Sequence, residues 1–188
     1  MAAMRLLRHL APLLLLAGCA SEGPERVVER RVSDAPAPRG AALLRAAMLD
    51  GHTRVRAAVG LPPLTWDEAL VASAARYAGQ LATSGQFRHA EQPLGGPTRE
   101  GENLWTGTRD AYRYDEMLGH WAAERDRFSN VAVPGSSTTG TFGDVGHYSQ
   151  MVWRGSTRIG CAIASSRRAD YLVCRYAPTG NVFGERAY

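Results

Sequence analysis

Apolar residues recur along much of the chain at the three-and-four spacing of helices that bury one face. From near Ala41, the residues Leu44, Met48, Val55 and Ala58 share such a face, and Gly60, Pro62 and Pro63 stop the run. The spacing predicts a first helix there. A second is predicted through Leu70, Ala74, Tyr77, Ala78 and Leu81, ending around Ser84 and Gly85. Ahead of it Thr65 and Glu68 have the spacing of a capping box. A third helix runs from about Arg109 to Phe128, with Tyr114, Leu118, Trp121, Arg125 and Phe128 on one stripe. Glu124 lies close to that stripe, where a carboxylate requires a partner.

Elsewhere the pattern changes. REGENLW carries a short strand-like segment ending at Trp105, and TRIGCAIAS and DYLVCRYA are rich in branched and aromatic residues. If the last two pair as a hairpin with Cys161 opposite Cys174, Ser165 faces Asp170 across a short polar connection. HYSQMVW fits a helix and a strand almost equally well. Residues 130–146 are Ser-, Thr- and Gly-rich and follow neither period, which suits a functional rim or a lid.

The N-terminus reads differently again. Arg5 and Arg8 precede LAPLLLLAG, an apolar run too short to span a bilayer, as in a secretory signal. Leu16, Ala17, Gly18 and Cys19 resemble the bacterial lipobox, in which the Cys is acylated and becomes the first residue of the mature chain. This implies a signal peptide over 1–18 and a membrane anchor at Cys19. Ala20 in the next position, rather than Asp, favours the outer membrane if the source has two membranes. Residues 19–40 are charged and Pro-rich and read as a tether, which at ~3 Å per extended residue would reach ~60 Å. With Cys19 lipidated, Cys161 and Cys174 remain as a pair in an oxidising compartment and are expected to form a disulfide.

Composition adds limits. The 188 residues suit one core, and the formal charge of +4 falls to +2 once Arg5 and Arg8 are removed. No nucleic-acid partner is expected from so small an excess.

LPPLTWDEALVASAARYA, GENLW, HWAAE, GHYSQMVWRGSTRIGCA and YLVCRYAPTGNVFGERAY, in this order, resemble the CAP superfamily, which groups cysteine-rich secretory proteins, venom antigens and pathogenesis-related class 1 proteins. The resemblance covers residues 41–188. It implies an α+β fold, an α-β-α sandwich with a small, largely antiparallel sheet between helical layers, in which HYSQMVW is a short helix. It also implies a cleft where four side chains converge, here His89, Glu102, Glu124 and His147. Two imidazoles and two carboxylates suit Zn²⁺ or another divalent cation. Each Glu could instead orient a His, or the four could form a purely structural polar network. A metal-assisted hydrolase would use Glu102 or Glu124 as general base. Some relatives bind sterol, so a lipid or sterol-like ligand is a further expectation.

Other residues are read as structural. His52 and His120 belong to the scaffold, although His120 stands one turn before Glu124 and could pair with it. Ser149 lacks a motif that would activate it as a nucleophile. Trp66, Trp105, Trp121 and Trp153 are expected in the core. The chain departs from many eukaryotic members in having a single disulfide pair, Ser149 where Thr is common, and Thr53 after His52 where Asn is common.

Overall fold

The computed structural model describes residues 35–92 and 98–188. The expected signal segment, Cys19 and the expected tether through residue 34 lie outside the described residues. Helix α1 spans Ala41–Ala57, strand β1 Thr65–Trp66, helix α2 Glu68–Ser84 and strand β2 Gly101–Thr108. Helix α3 spans Tyr114–Ala123 and continues as a 3₁₀ turn over Glu124–Arg127. A second 3₁₀ turn, Phe142–Asp144, precedes the short helix α4, Gly146–Met151, and strands β3, Arg158–Ser165, and β4, Ala169–Ala177, complete the chain.

The four strands lie in the order β1-β3-β4-β2. Among the described residues, the short β1–β3 pairing is parallel and the others are antiparallel. Successive side chains of a strand point to opposite faces, and both faces are covered. Leu104, Tyr171 and Val173 meet Ala74, Ala78 and Leu81 of α2 on one side. On the other, Trp105, Leu172, Cys174 and Tyr176 pack with Leu44 and Met48 of α1, Met117, Leu118 and Trp121 of α3, and Met151 of α4. This is the expected α-β-α sandwich. The approach of α2 is close enough that a Cβ on Gly160 of β3 would lie 2.4 Å from the backbone nitrogen of Val71.

The hairpin register is the one read from the sequence. Cys161 lies opposite Cys174, joined as a disulfide, and Ser165 lies opposite Asp170. Helix α2 ends where expected, with Gly85 in the left-handed region at φ 70°.

Four local features differ from the sequence reading. Thr65 is not the cap of α2: it belongs to β1, and Asp67 caps the helix by accepting from the backbone nitrogens of Ala69 and Leu70. Helix α3 starts at Tyr114 rather than near Arg109, because Asp110 turns the chain at φ 55° and its amide is held by the Asp170 carboxylate at 2.9 Å. The 130–146 segment is pinned rather than free, with Val133 and Ser136 buried and Val133 exchanging backbone bonds with Glu185 and Gly184. The end of the tether is also held. Arg39 donates to Asp170 Oδ2 at 2.6 Å and to the Tyr112 carbonyl at 3.0 Å, and Ala37 N donates to the Asp110 carbonyl at 2.8 Å. Among the described residues, no helix is long and apolar enough to cross a membrane.

Candidate functional site

The Trp-x-x-Glu spacing at the end of α3 places Trp121 and Glu124 on one face. Both act on His147. The Trp121 indole stacks on the imidazole at 5.9 Å and 18°, while Glu124 Oε1 accepts from His147 Nδ1 at 2.5 Å. Glu124 Oε2 accepts from the backbone nitrogens of His147 and Tyr148, both at 2.9 Å, so it also caps α4. The partner that a near-buried Glu124 demands is therefore this helix start and its imidazole.

His89 is held in a parallel manner from the other side of the sheet. It lies on the coil after α2, and its Nδ1 bonds to Glu102 Oε1 at 2.6 Å. The same oxygen accepts from Ala90 N at 3.0 Å. The other oxygen of Glu102 faces Arg175 Nη2 at 2.7 Å, since Glu102 and Arg175 are directly opposite in the β2–β4 ladder. The Arg175 guanidinium also lies over the Tyr77 ring at 5.2 Å and 3.6 Å from Glu100, whose carboxylate accepts from Ser73 Oγ at 2.6 Å. Burial raises the Tyr77 hydroxyl above its usual range, and the Glu102 charge adds to this.

Consecutive residues of β2 link the two halves. Glu102 holds His89, and Asn103, on the opposite face, donates through Nδ2 to the His147 carbonyl at 3.1 Å. The same amide reaches Tyr176 Oη at 3.1 Å, and Tyr176 Oη lies 2.9 Å from His52 Nε2. His52 Nδ1 is 2.8 Å from the Met48 carbonyl, which can only accept. The ring is fully buried, and burial lowers its pKa from 6.5 to about 4, with Arg56 contributing in the same direction. The direction of each bond follows. Asn103 donates to Tyr176, Tyr176 donates to His52 Nε2, and His52 Nδ1–H donates to Met48. His52 is thus a scaffold residue, as read from the sequence.

His89, Glu102, Glu124 and His147 therefore stand as two imidazole–carboxylate pairs rather than as four free ligands. Among the described residues, no group of three or more His, Cys, Asp or Glu side chains is placed to hold a metal. The carboxylates are committed to N–H donors, three at Glu124, and at Glu102 two plus the Arg175 cation. Nδ1 of each histidine is the hydrogen-bonded nitrogen, and Nε2 of each makes no hydrogen bond among the described residues. Two such nitrogens would suit a divalent cation completed by water or ligand, with the carboxylates behind them.

The remaining candidates lie elsewhere. His120 Nδ1 accepts from Trp105 Nε1 at 2.8 Å, in place of the pairing with Glu124. Ser149 is fully buried and its hydroxyl has no partner among the described residues, so it is closed to a substrate. Trp105, Trp121 and Trp153 are core residues, while Trp66 is partly buried beneath Arg45. A cleft of ≈ 330 Å³ beside His89 and Glu102 is lined by polar groups that include Gln92, Arg99, Gln150 and Asn181. The sequence reading missed Arg175, Asn103 and Tyr77. A lone Arg within the otherwise apolar YLVCRYA was the available signal for the first.

The sequence pattern of the cysteine-rich secretory protein family, CAP, matches residues 49–176. Pathogenesis-related protein 1C of Nicotiana tabacum is 38% identical over 142 residues, covering 74% of this chain and 78% of its own. The PR-1-type pathogenesis-related protein of Sambucus nigra is 36% identical over 144 residues, covering 74% and 79%. Among solved structures, NaASP2 with Zn²⁺ superposes with a TM-score of 0.65 at 22% identity, over 81% of this chain and 89% of that one. The Schistosoma mansoni venom allergen-like protein 4 gives 0.56 at 25% identity, over 77% and 92%.

Proposed function

Because the chain belongs to the cysteine-rich secretory protein (CAP) family, we propose that it is an extracytoplasmic CAP protein, anchored through acylated Cys19, whose paired histidines bind one divalent cation. Residues 1–18 are the signal that directs it across the membrane, and the tether begins at Cys19. The observation that carries the metal reading is the pairing itself. His89 and His147 each direct Nδ1 to a carboxylate, Glu102 or Glu124, and each keeps Nε2 for a ligand. Carboxylate-backed imidazoles are a common setting for zinc. The relative whose structure was determined with Zn²⁺ agrees with that choice of cation.

The bound cation would supply a Lewis-acidic anchoring point for a ligand in the polar cleft. The lining of Gln92, Arg99, Gln150 and Asn181 favours a hydrogen-bonding ligand over a lipid or sterol. Hydrolysis with Glu102 or Glu124 as general base has weaker support, since both Glu124 oxygens are already engaged by three N–H groups of His147 and Tyr148 rather than turned to a water or substrate. Zinc titration calorimetry on the full chain tests the reading. One Zn²⁺ bound by the native protein and none by the His89→Ala, His147→Ala double variant is expected, and equal uptake by both would remove the site from consideration.

A further inference from the structure

The two halves of the site are built alike except in one respect. Glu124 is oriented by two backbone N–H groups from the start of α4, both on Oε2, leaving Oε1 aimed at His147. Among the described residues, no helix start faces Glu102. Its Oε1 receives His89 and Ala90 N, and where Glu124 has the two amides Glu102 has the Arg175 guanidinium at 2.7 Å. The guanidinium is itself fixed by the Tyr77 ring and by Glu100, and it is only 4% exposed. A buried guanidinium in a strand of Tyr, Leu, Val and Cys is costly to desolvate, and an apolar residue of similar volume would often serve stability as well or better.

We propose that Arg175 is the positioning residue of the His89 half of the cation site. By holding Glu102 Oε2, it keeps Oε1 turned to His89 Nδ1 and thereby fixes the proton of the imidazole on Nδ1 and the lone pair on Nε2. This rests on the cation reading above for its function, but the tautomer it predicts does not require a metal. Without the guanidinium, the Glu102 carboxylate loses the contact that sets its rotation. The ring of His89, 65% exposed on a coil, then has no fixed acceptor, and both tautomers become populated. His147 is untouched, because its carboxylate is held by α4.

Ring ¹H–¹⁵N correlation spectra of the full chain read this directly. In the native protein both His89 and His147 are expected as the single Nδ1–H tautomer. In Arg175→Met, His89 becomes a mixture, His147 keeps its tautomer, and Zn²⁺ affinity falls about tenfold or more. Arg175→Lys, which keeps a cation but cannot fork between Glu100 and Glu102, serves if the Met variant does not fold. Its expected outcome is a partial mixture at His89 and a several-fold weaker affinity. A His89 ring that stays in one tautomer in the folded variant overturns the proposal. A native protein that takes up no Zn²⁺ while His89 still changes tautomer would sink the cation reading alone and leave Arg175 as its positioning residue.

Discussion

The stability of the fold should depend on pH through His52 in a way that one substitution can isolate. The ring is fully buried and neutral, its pKa lowered from 6.5 to about 4 chiefly by burial. In the unfolded chain the same imidazole takes up a proton as the pH falls below 6.5, while the folded state resists until about 4. The unfolded state therefore binds more protons across that window, and stability falls as the solution is acidified. At roughly 1.4 kcal/mol per pH unit of separation, the loss is about 2 kcal/mol at pH 5 and about 3 kcal/mol at pH 4, and it levels off below. Other groups also titrate there, so the native curve alone would not assign the effect. The difference between native protein and His52→Gln removes them. At pH 7 the variant should be less stable by about 1–3 kcal/mol, because the Met48 and Tyr176 bonds are disturbed. Between pH 7 and pH 4 the difference should shift by about 3 kcal/mol in the variant's favour, closing the gap or reversing it, measured by urea denaturation followed by circular dichroism. A gap that stays constant to within about 0.5 kcal/mol over this range would refute the neutral, donor-through-Nδ1 state of His52 and the bond directions derived from it.

Two other outcomes follow from the helix start and the anchor. Asp67→Ala should lower stability by about 1 kcal/mol in calorimetric melting, whereas Thr65→Ala should leave it nearly unchanged, since only Asp67 bonds to the free amides of α2; equal effects would contradict the assigned cap. Cys19→Ser should move the chain from the membrane fraction to the soluble extracytoplasmic fraction, and a variant that stays with the membrane would point to anchoring by other means.

What the sequence made legible was largely local. The Gly85 stop needs one residue free to turn left-handed, and the Cys161–Cys174 register needs only a short connection and two thiols on one face. The cap of α2 was misplaced because Thr65 and Glu68 satisfy the capping template by spacing. The residue that decides against it is Ile159, which lies opposite Trp66 and draws Thr65–Trp66 into the sheet. No local pattern contains a pairing that distant. The start of α3 failed for a like reason, since Asp110 is held by Asp170 of β4. At the site, the helical pattern singled out Glu124, but the grouping of His89, Glu102, Glu124 and His147 was legible only through the resemblance, because β2, the 3₁₀ turn after α3, α4 and the coil after α2 supply one each. Their grouping into pairs, and the part of Arg175, required the β2–β4 register.

The contact of Arg39 with Asp170 bears on how the domain responds when it is pulled. A domain restrained by the chain before it feels drag at its N-terminal end, and a helix drawn at its first residue unwinds a turn at a time. Here the tension meets the bond of Ala37 to the Asp110 carbonyl and then the Arg39 guanidinium before it reaches the helix. Asp170, fully buried and fixed as well by Ser165 and by the amide of Asp110, passes it to β4, a strand with neighbours on both sides. The load is then shared by β2 and β3, which flank β4, with the Cys161–Cys174 bond joining β3 to β4, and the first turn of α1 is spared.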